Sequence, residues 1–198
     1  MTAAVSGADV RLRRATLADA PAIREVMAAS ARELSRGFYS EAQIPGVVAH
    51  IAVLDLMLIE DGTYFVVEDV GAGVAPDDGR GAHELVACGG WSFRDKLFTG
   101  GGAAAGGASR LVPGQDPARV RAMFVHPRAA RRGLGRAILG AAEQDARAAG
   151  FTVAELMATA PGEPLYQVSG YQVVERVAVP LPDGQTVIAC ARMRKALR

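Results

Sequence analysis

Residues 119–159 limit the fold more than any other part of this chain. The run "RVRAMFV" is strand-like and stops at His126-Pro127, where proline's missing N–H ends ladder pairing. From about Gly133 to Ala149, positions Leu134, Ala137, Ile138, Ala141 and Ala142 fall on one helical face, and Gly150 supplies the natural stop. Then "FTVAELMAT" is nearly all apolar, as a strand buried on both faces must be. Strand, helix and strand with short links make a βαβ unit, so these two strands run parallel and the fold is α/β.

Upstream, "VRLRRA" alternates like a short strand, and Thr16 and Asp19 of "TLAD" form a capping-box variant. The helix that follows carries Ile23, Val26, Met27 and Leu34 on one face. A second helix is expected from Ser40, kinked or interrupted at Pro45-Gly46, after a link with the exposed-looking aromatics Phe38 and Tyr39. Residues 63–69 and 83–93 read as strands about a loop at 70–82. Residues 94–118 read as one long irregular loop, mobile and low in complexity across the glycines of 100–107. The sequence "GEPLYQVSG" reads as a short helix, and a hairpin turns about Pro182-Asp183-Gly184. Residues 1–9 read as a flexible start, and 10–198 as one domain.

Composition excludes several classes. Half of the 198 residues are hydrophobic, 22% are charged, and the net charge is +1 with acids and bases interspersed. That supports one sizeable core and gives no basic stripe for nucleic acid. Cys88 and Cys190 are too few for a disulfide framework, no Cys/His cluster has metal-ligand spacing, and both read as reduced core residues. The start lacks a signal-peptide core and no later run spans a bilayer, which points to a soluble cytoplasmic protein with no membrane partner.

The helix start at Gly133 is chemically expressive. Its first N–H groups lack intrahelical partners and its dipole adds positive charge, so an anion suits that end. Glycines at 133 and 135 let a phosphate approach the main chain, while Arg131, Arg132 and Arg136 add charge and forked donors. The bland alternative is a tight packing turn with solvated arginines. A Walker loop would need lysine and Ser/Thr after its last glycine, but Arg136-Ala137 follow Gly135. A dinucleotide fingerprint would need glycine where Ile138 stands.

The stretch "VHPRAARRGLGRAIL" resembles the acyl-CoA-binding motif of the GNAT superfamily of N-acyltransferases, Gln/Arg-x-x-Gly-x-Gly/Ala after a strand ending in Val-x-Pro. The glycines match at Gly133 and Gly135, and the first motif position is Ala130, with Arg131 beside it. The later "LYQVSGY" resembles the family's Leu-Tyr-x-x-x-Gly-Phe/Tyr, here Leu165, Tyr166, Gly170 and Tyr171, and the opening strand and helix are similar to a family start. The resemblance implies a strongly twisted mixed sheet of six or seven strands with helices on both faces, splayed between its two central parallel strands. It implies that Arg131, Arg132, Gly133, Leu134, Gly135 and Arg136 cradle the pyrophosphate of acetyl-CoA, the acyl donor. It further implies that Phe124 and Val125 pair with the pantetheine arm, and that an amide near Val125 polarises the thioester carbonyl.

Acyl transfer to an amine needs a neutral amine, a stabilised oxyanion and a proton for the leaving thiolate. Tyr166, protonated at neutral pH, suits the third task and matches the family's general acid; the alternative is a packed tyrosine bonded to backbone. His126, His83, Glu84, Glu68 and Asp116 are the titratable groups near strand ends or loops, and none stands out as a base; His50 reads as structural. By resemblance the acceptor pocket comprises residues 33–39 and the loop after Phe93, with Phe38, Tyr39, Trp91 and Phe93 as an apolar wall or as plain core. The expected activity is N-acetylation of a small-molecule amine. An acyl-CoA-binding sensor without transfer and a nucleic-acid patch are the competing readings. The long, apolar, edge-like C-terminal hairpin points either to a homodimer or to cover by its own sheet and helices.

Overall fold

The computed structural model describes residues 10–70, 84–96 and 109–198. Seven strands form one mixed sheet: β1 (Val10–Arg14), β2 (Tyr64–Asp69), β3 (Glu84–Ser92), β4 (Ala118–Val125), β5 (Val153–Thr159), β6 (Gln172–Pro180) and β7 (Val187–Ala196). Their spatial order is β1-β2-β3-β4-β5-β7-β6, antiparallel except where β4 meets β5. That parallel pair is the βαβ unit, and α4 (Leu134–Ala148) is its crossover.

Helices cover both faces. On one, α1 (Ala20–Glu33), α2 (Ile44–His50) and α3 (Met57–Glu60) bury Ile23, Met27, Val47 and Leu58 against β2, β3 and β7. On the other, α4 and the one-and-a-half-turn α5 (Glu163–Val168) bury Leu134, Ile138, Leu139 and Tyr166. The apolar stripe of α4 is thus the one that the 3.6-residue period marks out. The capping box holds as well, since the Asp19 carboxylate accepts from the Thr16 N–H at 2.7 Å and from its hydroxyl at 2.9 Å.

Several expectations are corrected. Pro45-Gly46 does not kink a helix: α2 begins at Ile44, and Pro45 lies in the first turn, where no N–H partner is needed. Residues 41–43 form only a turn, with the Gln43 side chain accepting from the Ser40 N–H at 2.9 Å. Of the two link aromatics, Phe38 is 52% exposed but Tyr39 is buried. The connection after β3 is not irregular throughout, because Arg94 bridges Arg110 and the Leu111 N–H donates to the Phe93 carbonyl at 2.8 Å. Its residues 97–108, including the glycine-rich piece, lie outside the described residues, as do 1–9, 71–82 and His83. Strand β5 starts at Val153, because Gly150 (φ +91°) and the bond from the Phe151 N–H to the Ala146 carbonyl still belong to the helix end. Among the described residues no helix is long and apolar enough to cross a membrane.

Candidate active site

The site begins with a failure of pairing. Strands β4 and β5 are in register only at Ala118–Ala154 and Arg119–Glu155, after which they part. The cause lies in β4: Ala122 has φ +53°, a left-handed conformation that costs a non-glycine residue about 1–2 kcal/mol. A bulge there shifts the β3–β4 register between Cys88 and Gly90. Gly89 makes room for it, since a Cβ there would collide with the Met123 sulfur of β4, while a Cβ at Gly90 would collide with the Thr63 carbonyl on the opposite, β2 side. Sequence reasoning missed this bulge, although two adjacent glycines inside a strand pattern are a signal that could have found it.

Beyond the bulge β4 presents main-chain groups to the gap. The His126 N–H donates to the Val86 carbonyl of β3 at 2.8 Å. Successive N–H groups of an extended strand alternate sides, so the Val125 N–H points away from β3, toward the space that β5 has left.

A cavity of about 170 Å³ fills that space. Phe124, Val125, Gly135, Thr159 and Tyr166 form one side, and Ala31, Leu34, Ser35, Tyr39, Val47 and Ile51 the other. A second lobe of about 90 Å³ shares Met123, Phe124, Thr159 and Tyr166 and reaches down to Arg121 and Met157. Phe124, Val125, Gly135 and Tyr166 therefore meet in one place, and Tyr39, named as a possible acceptor wall, lines the same cavity. Leu34 and Ser35 fall within the 33–39 segment expected to line the acceptor side, whereas sequence reasoning missed Val47, Ile51 and Thr159, because these positions carry no distinctive residue type.

Tyr166 is 8% exposed, packs edge-on against Tyr171 with ring centroids 5.8 Å apart, and its hydroxyl makes no hydrogen bond among the described residues. Burial pushes that phenol well above its ordinary value. Tyr39 differs: its hydroxyl accepts from the Ala160 N–H at 3.1 Å, and burial pushes it up to about 12 against that bond.

At the helix start, Gly133 (φ +80°) is the N-cap of α4, and Arg131 precedes it at φ +66°. Gly133 has no side chain to cap the N–H groups of this turn, and no other side chain among the described residues bonds them. Leu134 is buried in the core, so it offers the turn its main chain alone. Arg131 and Arg136 are exposed with no ion pair among the described residues, whereas Arg132 is held by Asp69 at 2.8 Å. The two glycines differ in purpose. A Cβ at Gly133 would meet nothing within 4 Å, but at Gly135 it would stand 3.0 Å from Leu165 Cδ2 and 3.6 Å from Val125 Cγ2, inside the cleft.

The candidate bases are elsewhere. Glu68 pairs with Arg13 at 2.7 Å, Glu84 with Arg128, and Asp116 accepts from the Val112 N–H at 2.8 Å. The His126 ring accepts from the Arg128 N–H at 3.3 Å and does not line the cleft. Trp91 and Phe93 are not a cleft wall: Trp91 is buried on the α4 side against Phe151, with Phe93 against it in turn. These rings fill core because their strand positions face α4.

Comparison with known proteins gives this arrangement a family. The acetyltransferase (GNAT) domain matches residues 60–173, more than half of the chain. The chain belongs to the GNAT acetyltransferase family and is an acyltransferase. No curated protein matches the sequence. Among solved structures, a GCN5-related N-acetyltransferase from Rhodopseudomonas palustris is similar, with 19% identity and a TM-score of 0.67 over 98% of this chain and 100% of that one. PaiA N-acetyltransferase from Thermoplasma acidophilum, solved in complex with coenzyme A, has 13% identity and a TM-score of 0.61 over 94% of this chain and 98% of its own. The ribosomal-protein-S18-alanine N-acetyltransferase from Escherichia coli has 16% identity and a TM-score of 0.52, covering 95% of this chain and 94% of that one. The mixed sheet with helices on both faces is the fold to which this similarity extends.

Proposed function

We propose that this protein is an acetyl-CoA-dependent N-acetyltransferase that acylates a small-molecule amine by direct attack on the thioester. The observation that carries the reading is the meeting, in one cleft, of an unbonded tyrosine hydroxyl (Tyr166) with the outward-facing Val125 N–H.

The residues fit an acyl-CoA. The α4 start offers uncapped N–H groups and the exposed guanidinium groups of Arg131 and Arg136 to phosphates, while Gly135 keeps the cleft open where a Cβ would narrow it. When bound, acetyl-CoA supplies the thioester carbon and the thiolate leaving group. Phe124 and Val125 present free strand edge, to which an extended amide-bearing arm can pair. The Val125 N–H is placed to stabilise negative charge on a carbonyl oxygen in the cleft, a contribution of about 3–4 kcal/mol for one such donor. Tyr166 holds a proton at its Oη for the departing sulfur. The wall of Leu34, Tyr39, Val47 and Ile51 excludes water from the acceptor side. At the sheet edge, β6 leaves Val173 and Val174 37% and 49% exposed, which supports pairing with a second copy as a homodimer, to be read from the mass in solution by light scattering.

The test is calorimetric titration with acetyl-CoA of the wild type and of Gly135→Asp. Saturable binding that the aspartate abolishes, followed by release of free thiol with an amine, is the expected result. No binding at millimolar acetyl-CoA would reduce "RRGLGR" to a packing turn. Binding without thiol release from any amine would favour the sensor reading instead.

A further inference from the structure

Acceptor amines differ in whether they arrive charged, and the lining of the cleft discriminates between them. Among the described residues, the larger lobe carries no acidic or basic side chain of the Asp, Glu, His, Lys or Arg type. Its polar side chains carry hydroxyls, those of Ser30, Ser35, Tyr39, Thr159 and Tyr166. The smaller lobe adds one charged side chain, and it is a cation: Arg121, 5% exposed.

Carboxylates near the cleft are already engaged. Asp55, in the link before α3, holds Arg121 at 3.0 Å and Lys96 at 3.1 Å, and Glu163 of α5 is held by Arg176 at 2.8 Å. Glu155 holds Arg119, Arg192 and Arg194. An alkylammonium entering the cleft would lose its water and find no anion in exchange, and a guanidinium would stand beyond it.

Nor does the cleft remove a proton from the acceptor. Tyr39, Tyr166 and Arg121 are its titratable groups among the described residues. Burial keeps both phenols protonated, so neither accepts a proton at neutral pH. At pH 7.4 a primary alkylamine, with its conjugate acid near 10.4, is about one part in a thousand neutral, whereas an α-amine near 7.8 is roughly a quarter neutral. An arylamine, its lone pair delocalised into the ring, is neutral outright.

We infer that the acceptor is a weakly basic amine on an apolar body, an α-amine beside a carbonyl or an arylamine, which enters the cleft uncharged. This rests on the acetyl-transfer reading above. In the step, the nitrogen–carbon bond forms and the carbon–sulfur bond breaks. Tyr166 Oη gives its proton to the sulfur, and the proton shed by nitrogen replaces it. A neutral amine thus closes the proton balance inside the cleft, while an ammonium ion would first have to lose a further proton to bulk water.

The test uses the full chain with acetyl-CoA, thiol release as the readout, and three acceptors of similar apolar bulk: leucinamide, 4-methylaniline and isopentylamine. At pH 7.4 leucinamide or 4-methylaniline, or both, should exceed isopentylamine in kcat/KM by about 10-fold or more, given the difference in neutral fraction. Which of the two leads identifies the source of the weakly basic nitrogen. Between pH 7 and 9 the isopentylamine rate should climb about tenfold per unit, while the 4-methylaniline rate stays flat. Equal or better use of isopentylamine at pH 7.4, a flat pH profile for it, or no thiol release with either weakly basic amine would overturn the inference. Calorimetry keeps the two readings apart: failure to bind acetyl-CoA removes the acetyl-transfer reading and this one with it, whereas binding with a preference for the strongly basic amine removes this one alone.

Discussion

The Tyr64 hydroxyl donates a 2.7 Å hydrogen bond to the carbonyl of Ala122, the residue that holds β4 in a left-handed bulge. Tyr64 is fully buried, and the bond spans two strands that are not neighbours in the sheet. It ties the strain that opens the cleft to the core beneath α1. Tyr64→Phe should cost about 1–2 kcal/mol, a loss of roughly 2–8 °C in Tm, and lower kcat/KM as the bulge relaxes. Thermal melts alongside thiol-release kinetics check both effects; full stability with unaltered turnover would separate the bulge from the site.

Tyr166→Phe removes a hydroxyl that makes no hydrogen bond among the described residues, so its structural cost should be small. If it is the general acid, kcat falls about 10²–10⁴-fold while acetyl-CoA affinity holds. Single-turnover kinetics and calorimetry on one preparation distinguish this from misfolding.

The paired glycines should fail in different ways. Gly133→Ala meets open space but must keep φ +80°, a cost of about 1–2 kcal/mol borne by stability. Gly135→Ala keeps ordinary helical backbone but puts a methyl 3.0 Å from Leu165, so its effect should fall on acetyl-CoA affinity. Denaturant titration and calorimetry of the two variants should give opposite rankings.

Glu155 is 2% exposed and binds Arg119, Arg192 and Arg194 across three strands. Glu155→Gln leaves three guanidinium groups around a neutral amide and should destabilise by about 3–5 kcal/mol. The urea midpoint reads this directly. A cost below about 1 kcal/mol would show that the arginines relax to solvent.

Asp19 carries a pH signature. Arg13, 2.7 Å away, holds its carboxyl down at about 2, against 3.8 for the ordinary group. Because the folded value is the lower one, the contribution is complete above about pH 4 and is lost as pH falls through 2. It is worth about 1–2 kcal/mol after allowance for solvent screening. Asp19→Asn should flatten the acid limb of the stability profile between these values, as followed by circular dichroism.

The sequence by itself determined the elements whose signals are local. The period of α4, the Thr16/Asp19 cap, the stop at Gly150 and the parallel strands flanking α4 all depend on contacts a few residues apart or on the handedness of one crossover. It also located the glycine turn at the start of α4, since Gly133 acts through its own backbone and Gly135 through its missing Cβ. The tertiary structure decided what depends on distant partners. Leu34, Ser35, Val47 and Ile51 become a cleft wall only because α1 and α2 pack over the gap between β4 and β5. Trp91 and Phe93 become core because they pack on the α4 side, and Glu68 and Glu84 become structural because Arg13 and Arg128, distant in the chain, reach them. Among the described residues, the unbonded hydroxyl of Tyr166 and the cleft lining without acidic side chains are properties of three-dimensional neighbourhoods, which no spacing along the chain encodes.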